Sequence, residues 1–104
     1  MTDQQKPKHY RRLTELFPDI LSAHANLGKT VRKGGPIDAK NIELIQLAAS
    51  ASLGSEGSVH SHTRRALQEG ATEQEIYHAL VLLISTIGFP RVAAAISWAQ
   101  DILD

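Results

Sequence analysis

An all-α domain is the fold this sequence predicts, on three observations. Apolar residues recur at three- and four-residue spacing through most of the chain, and cap and stop residues divide that pattern into segments. No stretch shows the period-two alternation of a half-buried strand. The expected architecture is five to six helices around a central helical hairpin. Residues 1–17 read as an N-terminal arm and short lead-in helix, and residues 18–104 as a single domain.

Residues 1–9 are polar, and Pro7 discourages a helix there, so they read as a loose arm. Tyr10, Leu13, Leu16 and Phe17 begin a helical spacing. Pro18 then sits where a first-turn proline belongs, and Ile20, Leu21, His24, Leu27 and Val31 continue the pattern to about Arg32. Gly34-Gly35-Pro36 stops it. Asp38 is placed to cap a second helix, Ala39 to Leu53. Its apolar residues cover most of the circumference and leave Glu43, Gln46 and Ser50 on one narrow polar stripe, facing either a strip of solvent or an enclosed polar pocket.

After a Gly/Ser loop over residues 54–57, Ser58 is the expected cap of a third helix that runs to about Glu69. His62 lies on the face of Ser58, and His60 points nearly the opposite way. Thr72-x-x-Glu75 forms a capping box for a fourth helix from Glu73 to about Ile87. That helix is apolar on every side after its first turn, so it needs cover that one small protomer can hardly supply. Subunit packing is therefore expected. Pro90 opens a last, cleanly amphipathic helix, with Val92, Ala95, Ile96, Trp98, Ala99, Ile102 and Leu103 on one arc.

Composition closes off several functions. Eleven basic and eleven acidic residues cancel, so no long-range field favours nucleic acid as a partner. No apolar run reaches the roughly 18–20 residues of a membrane span, and residues 1–12 lack the apolar core of a signal peptide. A cytoplasmic protein without a membrane partner is expected. The chain contains no cysteine, which removes thiolate metal sites, disulfides and thiol redox chemistry together.

The residues able to carry chemistry gather between Asn41 and His62. Glu43 is one acid in a nearly all-apolar helix; it either pairs with Lys40 one turn back or sits partly buried as a proton donor or acceptor. His62, nineteen positions later, suits proton transfer near neutral pH. Ser58 and His62 stand four apart, a spacing open to a nucleophile and its base, but no strained elbow or third orienting group accompanies them. Arg64, Arg65 and Arg91 are solvent candidates, any one of which could hold a substrate carboxylate. A metal site from His60, His62, His78 and Glu43 is disfavoured, because His-x-His on a helix splays its rings apart. No metal and no cofactor are expected.

Glu43-Leu-Ile-Gln-Leu-Ala48, the run HTRRALQEGATEQEI at 62–76 and GFPRVAAA at 88–95 together resemble the carboxymuconolactone decarboxylase / AhpD-like alkylhydroperoxidase family over roughly residues 18–103. The resemblance implies an AhpD-like helical bundle and a homo-oligomer, a trimer or hexamer. The family's peroxidase branch carries a glutamate, a Cys-x-x-Cys twelve residues later and a histidine four residues after that. These positions fall on Glu43, on Ser55 and Ser58, and on His62. Serine cannot cycle through sulfenic acid and disulfide, so the thiol mechanism cannot run here. The decarboxylase branch also lacks the cysteine pair and decarboxylates a carboxylated lactone of aromatic catabolism without a cofactor.

The function expected is therefore acid–base chemistry by Glu43 and His62 on a small carboxylated lactone or keto-acid. The alternatives are an antioxidant-branch member that has lost its thiol pair, or a catalytically silent oligomeric binding protein.

Overall fold

The computed structural model describes residues 6–104. The chain forms two compact units, the first ending at Pro36 and the second comprising Ile37–Asp104. All described regular structure is helical, in seven segments, or six if α5 and α6 below count as one interrupted helix.

In the first unit, α1 spans Lys8–Leu16 and α2 spans Pro18–Lys33. The arm expected over residues 1–9 falls for residues 1–5 outside the described residues, and its remainder is shorter than expected. Pro7 begins α1 rather than preventing it: with φ −56° and ψ 150° it occupies the cap position, and its carbonyl accepts from Arg11 N at 3.1 Å. Pro18 opens α2, Asp19 lies in its first turn, and Arg32 and Lys33 in its last, a charge order that complements the helix dipole.

The second unit opens with α3, Ala39–Leu53, where the Asp38 side chain accepts from Asn41 N as expected of a cap. α4 spans Glu56–Gln68, earlier than its sequence pattern suggested. The cap position is Ser55, not Ser58, because the turn out of α3 is completed within two residues and leaves no room for a longer loop. α5 spans Glu73–Val81, with both halves of the Thr72–Glu75 capping box formed. The expected helix to Ile87 does not run through. The Leu83 amide bonds Leu80 O at 3.1 Å, a tightened i→i+3 turn, before the four-residue α6, Ile84–Ile87. α7 spans Phe89–Leu103, with Pro90 in its first turn.

The core is built from small and branched residues: Leu47 and Ala51 of α3, Val59 and Ala66 of α4, Ile76 and Leu80 of α5, Ala95 and Ala99 of α7. The alanines let helices approach closely, and Leu44, Ile96 and Trp98 pack against the resulting cluster. α4 packs against both α3 and α7, which places it in the middle of the unit. Several large apolar side chains stay outside this core, Leu53 at 80%, Phe89 at 63% and Leu82 at 60% exposure. No described helix is long and apolar enough to cross a membrane.

α5 is tied to α3 by Lys40 Nζ, which donates to Glu75 Oε2 at 2.8 Å, while Glu75 Oε1 accepts from Thr72 N at 2.9 Å. The hydrogen bond to Lys40, then that from the Thr72 backbone, holds the Glu75 carboxyl below its ordinary value, and Glu75 raises the Lys40 ammonium. The depressed acid contributes stability above the ordinary glutamate range and loses it as pH falls through its folded value. The raised amine contributes below the ordinary lysine range and loses it as pH rises through its folded value. Glu75→Gln should therefore lower thermal stability at neutral pH and flatten both limbs of the stability–pH profile. Melting curves of the two proteins from pH 3 to 11 (about the range over which both groups titrate) check this, and parallel profiles would refute it.

Candidate functional site

The α3–α4 hairpin builds the site. The last turn of α3 closes with Gly54 N donating to Ala51 O at 3.1 Å and Ser55 N to Ser50 O at 3.0 Å. This bond pair ends a helix on a left-handed residue, and Gly54 takes φ 70° and ψ 31°. Glycine is required twice over here. A side chain would be strained at that φ, and its Cβ would run into the guanidinium of Arg91, which lies against the Gly54 backbone. With the chain reversed so tightly, α4 returns along α3.

Reversal brings Glu43 and His62 together. His62 Nδ1 lies 2.9 Å from Glu43 Oε1. The pair is largely removed from water: the Glu43 side chain is 5% exposed and that of His62 16%. Lys40, the alternative partner of Glu43 in sequence, is engaged by Glu75 instead. The polar stripe of α3 thus faces inward. Glu43 and Ser50 are buried, Ser50 Oγ donates to Gln46 O at 2.8 Å, and it is Ile45 that is turned outward at 53% exposure. Next to His62, Thr63 is fully buried and its hydroxyl has no hydrogen-bond partner among the described residues.

The other candidate residues distribute as follows. Ser55 and Ser58 are half-buried at the start of α4, and neither side chain hydrogen-bonds to Glu43 or His62 among the described residues. The serine–histidine spacing therefore does not form a nucleophile–base contact. Arg64 is half-buried and Arg65 exposed on α4. Arg91 is exposed on α7, with its guanidinium against the hairpin loop. His78 is exposed on α5.

His60, set aside in the sequence as pointing away from His62, does point to another helix. Its Nε2 lies 2.9 Å from Asp101 Oδ2 of α7. Glu56 completes a group whose ligand-capable atoms all lie within 4.8 Å of one another. Neither Glu56 nor Asp101 stands out in the sequence as a site residue. The spacing of Glu56 and His60, four apart on one helix face, was the available signal, but Asp101 is forty-one positions from His60 and only the fold brings it there.

Comparison with known proteins shows the family and the fold. The family model described as "Carboxymuconolactone decarboxylase family" matches residues 18–101. The chain belongs to that family. It is a cysteine-less member with the AhpD-like all-α fold. Among solved structures it is similar to the apo form of a carboxymuconolactone decarboxylase family protein from Legionella pneumophila, with a TM-score of 0.78 and 20% identity over 92% of this chain and 88% of that one. Two uncharacterized proteins of Methanocaldococcus jannaschii are also similar. One is 35% identical over 76% of this chain and 74% of its own length, the other 30% identical over 78% and 79%.

A buried carboxyl–imidazole contact of this kind is energetically coupled. A double-mutant cycle on Glu43→Gln and His62→Ala, read by urea denaturation, should give a coupling of about 1.5–3 kcal/mol, the range for hydrogen bonds to charged groups. His62→Ala alone should cost more than Glu43→Gln, because it removes a hydrogen-bond partner from a buried acid while Gln keeps the shape of Glu43. Additive effects of the two substitutions would show that the contact contributes nothing.

Proposed function

We propose that this family member is a cofactor-free acid–base enzyme acting on a small carboxylated lactone or related keto-acid, with His62 transferring the proton and Glu43 positioning it. The observation that carries the reading is the 2.9 Å contact between His62 Nδ1 and Glu43 Oε1 in a nearly water-free position. An ionised carboxylate only accepts, so Nδ1 is then the donor and its hydrogen faces Glu43. Glu43 fixes the ring and its tautomer, and Nε2 is the nitrogen that exchanges a proton with substrate.

Decarboxylation breaks one C–C bond, releases CO2 and leaves an electron pair on the substrate that takes up one proton. In this reading the ring of His62, protonated on both nitrogens, gives its Nε2 proton to that electron pair and is left as the Nδ1–H tautomer facing Glu43. Water then returns the proton, and its hydroxide is taken up by the released CO2 as bicarbonate. Arg91 is our choice for the substrate carboxylate, since of the three arginines it lies against the hairpin loop and a guanidinium binds a carboxylate with two parallel hydrogen bonds. The missing sulfurs at Ser55 and Ser58 exclude the thiol peroxidase mechanism and leave this acid–base route intact.

Turnover of a carboxylated lactone, followed by ultraviolet absorbance, tests the assignment. His62→Gln and Glu43→Gln should each lower kcat by about 10²–10⁴-fold, the usual contribution of a positioned general acid or base. Arg91→Lys should act mainly on KM. Undiminished kcat in both site variants would sink the acid–base reading.

We further propose that the working form is a homo-oligomer, a trimer or hexamer, of this same chain. The support is the exposed apolar surface of α3 and of the residues around α6, with Ile45, Leu53, Leu82, Ile84 and Phe89 all left outside the core, on a chain whose zero net charge does not repel a second copy. Light scattering should return three or six times the chain mass, and Leu82→Glu should dissociate the assembly. A stable monomer of the unaltered chain would exclude the oligomer.

A further inference from the structure

We infer that Glu56, His60 and Asp101 form a binding site for one divalent transition-metal ion of the zinc type, separate from the Glu43–His62 pair. Three observations converge on it. The donor set is one imidazole nitrogen and two carboxylate oxygens, and their atoms already lie within 4.8 Å of one another. For bonds of about 2.0–2.1 Å, tetrahedral zinc needs donors about 3.3–3.4 Å apart. The remaining closure is available to two carboxylates on exposed side chains.

Rigidity favours the same site. Glu56 and His60 stand four apart on the first turns of α4, so their side chains share one face. Asp101 comes from the last turn of α7, which packs against α4. His60 is partly enclosed, its side chain 21% exposed, and its Nε2 is already held towards the group by Asp101 Oδ2 at 2.9 Å. A metal would replace that hydrogen bond by a shared ion, with His60 as a neutral ligand.

Charge is the third argument. Two carboxylates meet here, and among the described residues neither forms an ion pair with a lysine or arginine. The His60–Asp101 contact accounts for two members of the group, and Glu56, in the first turn of α4, brings a second carboxylate against them. A divalent ion neutralises the pair and explains the third member. Mixed nitrogen and carboxylate donors suit zinc, cobalt or manganese rather than calcium or magnesium, which prefer oxygen alone. Bound there, the ion clamps the C-terminal end of α7 to the start of α4, the turn that carries Ser58.

The test is titration of the full chain with ZnCl2 by calorimetry, with thermal melting in parallel and Co²⁺ as a spectroscopic probe. The unaltered protein should bind one equivalent, melt at a higher temperature with zinc, and lose that gain on adding EDTA. Glu56→Gln, His60→Ala and Asp101→Asn should each weaken binding by at least the roughly 10–100-fold that loss of an outer-shell partner costs a metal site. His78→Ala should bind as the parent does. Glu56→Gln and Asp101→Asn are near-isosteric and on exposed residues, so they report even if His60→Ala folds poorly. Absence of any zinc-dependent shift overturns the site. So does binding that survives Glu56→Gln and Asp101→Asn unchanged, or binding that is lost only in His62→Ala, which would put the ion at the other pair.

Discussion

The left-handed turn at Gly54 is the constraint on which the second unit depends. Two hydrogen bonds, from Gly54 to Ala51 and from Ser55 to Ser50, end α3 and reverse the chain with one residue between the turn and α4. An L-residue in that conformation is penalised by about 1 kcal/mol or more, and the Arg91 guanidinium already occupies the space a side chain would enter. Because the reversal is so short, α4 has little freedom to slide along α3. The meeting of residues 43 and 62, nineteen positions apart, follows from that.

The hairpin also explains an inversion on α3. A helix this apolar would ordinarily bury its isoleucines and expose its acid, yet Glu43 is 4% exposed and Ile45 53%. α4, α5 and α7 all pack on the side of α3 that carries Glu43, Leu47, Ser50 and Ala51. Enclosing a carboxyl is unfavourable unless it is compensated, and His62 supplies one partner. Apolar residues displaced from the core then form the outer surface of the unit, so one packing choice both encloses the acid–base pair and leaves a face that water covers poorly.

Much of this was legible in the sequence. Asp38, the Thr72–Glu75 box, Pro18 and Gly54 act through neighbours a few positions away, and such local signals placed most helices correctly. Glu43 and His62 were legible as candidates because they are polar residues flanking one apolar hairpin. Two kinds of feature were hidden. The break at Leu82–Leu83 falls inside an apolar run without glycine or proline, so nothing in composition marks the change in hydrogen bonding. Ser58 looked like a cap because serine favours that position, but Ser55 does too, and only the length of the turn decides between them. Contacts such as Lys40 with Glu75 and His60 with Asp101 join residues thirty-five and forty-one apart, a separation at which local pattern carries no information.

α4 itself shows why the frame does not depend on the side chains at positions 55 and 58. Side chains two positions apart on a helix point nearly opposite ways, so His60 and His62 can both meet carboxylates only if α4 lies between two acid-bearing helices. It does: His62 meets Glu43 of α3, and His60 meets Asp101 of α7. Slipping α4 by one residue would turn it by about 100° and break both contacts at once, while moving Val59, Thr63 and Ala66 out of the core. The rotation of this helix is therefore set by two imidazole–carboxylate contacts and a buried stripe, none of which involves position 55 or 58. The side chains of Ser55 and Ser58 therefore take no part in holding the acid and the histidine together.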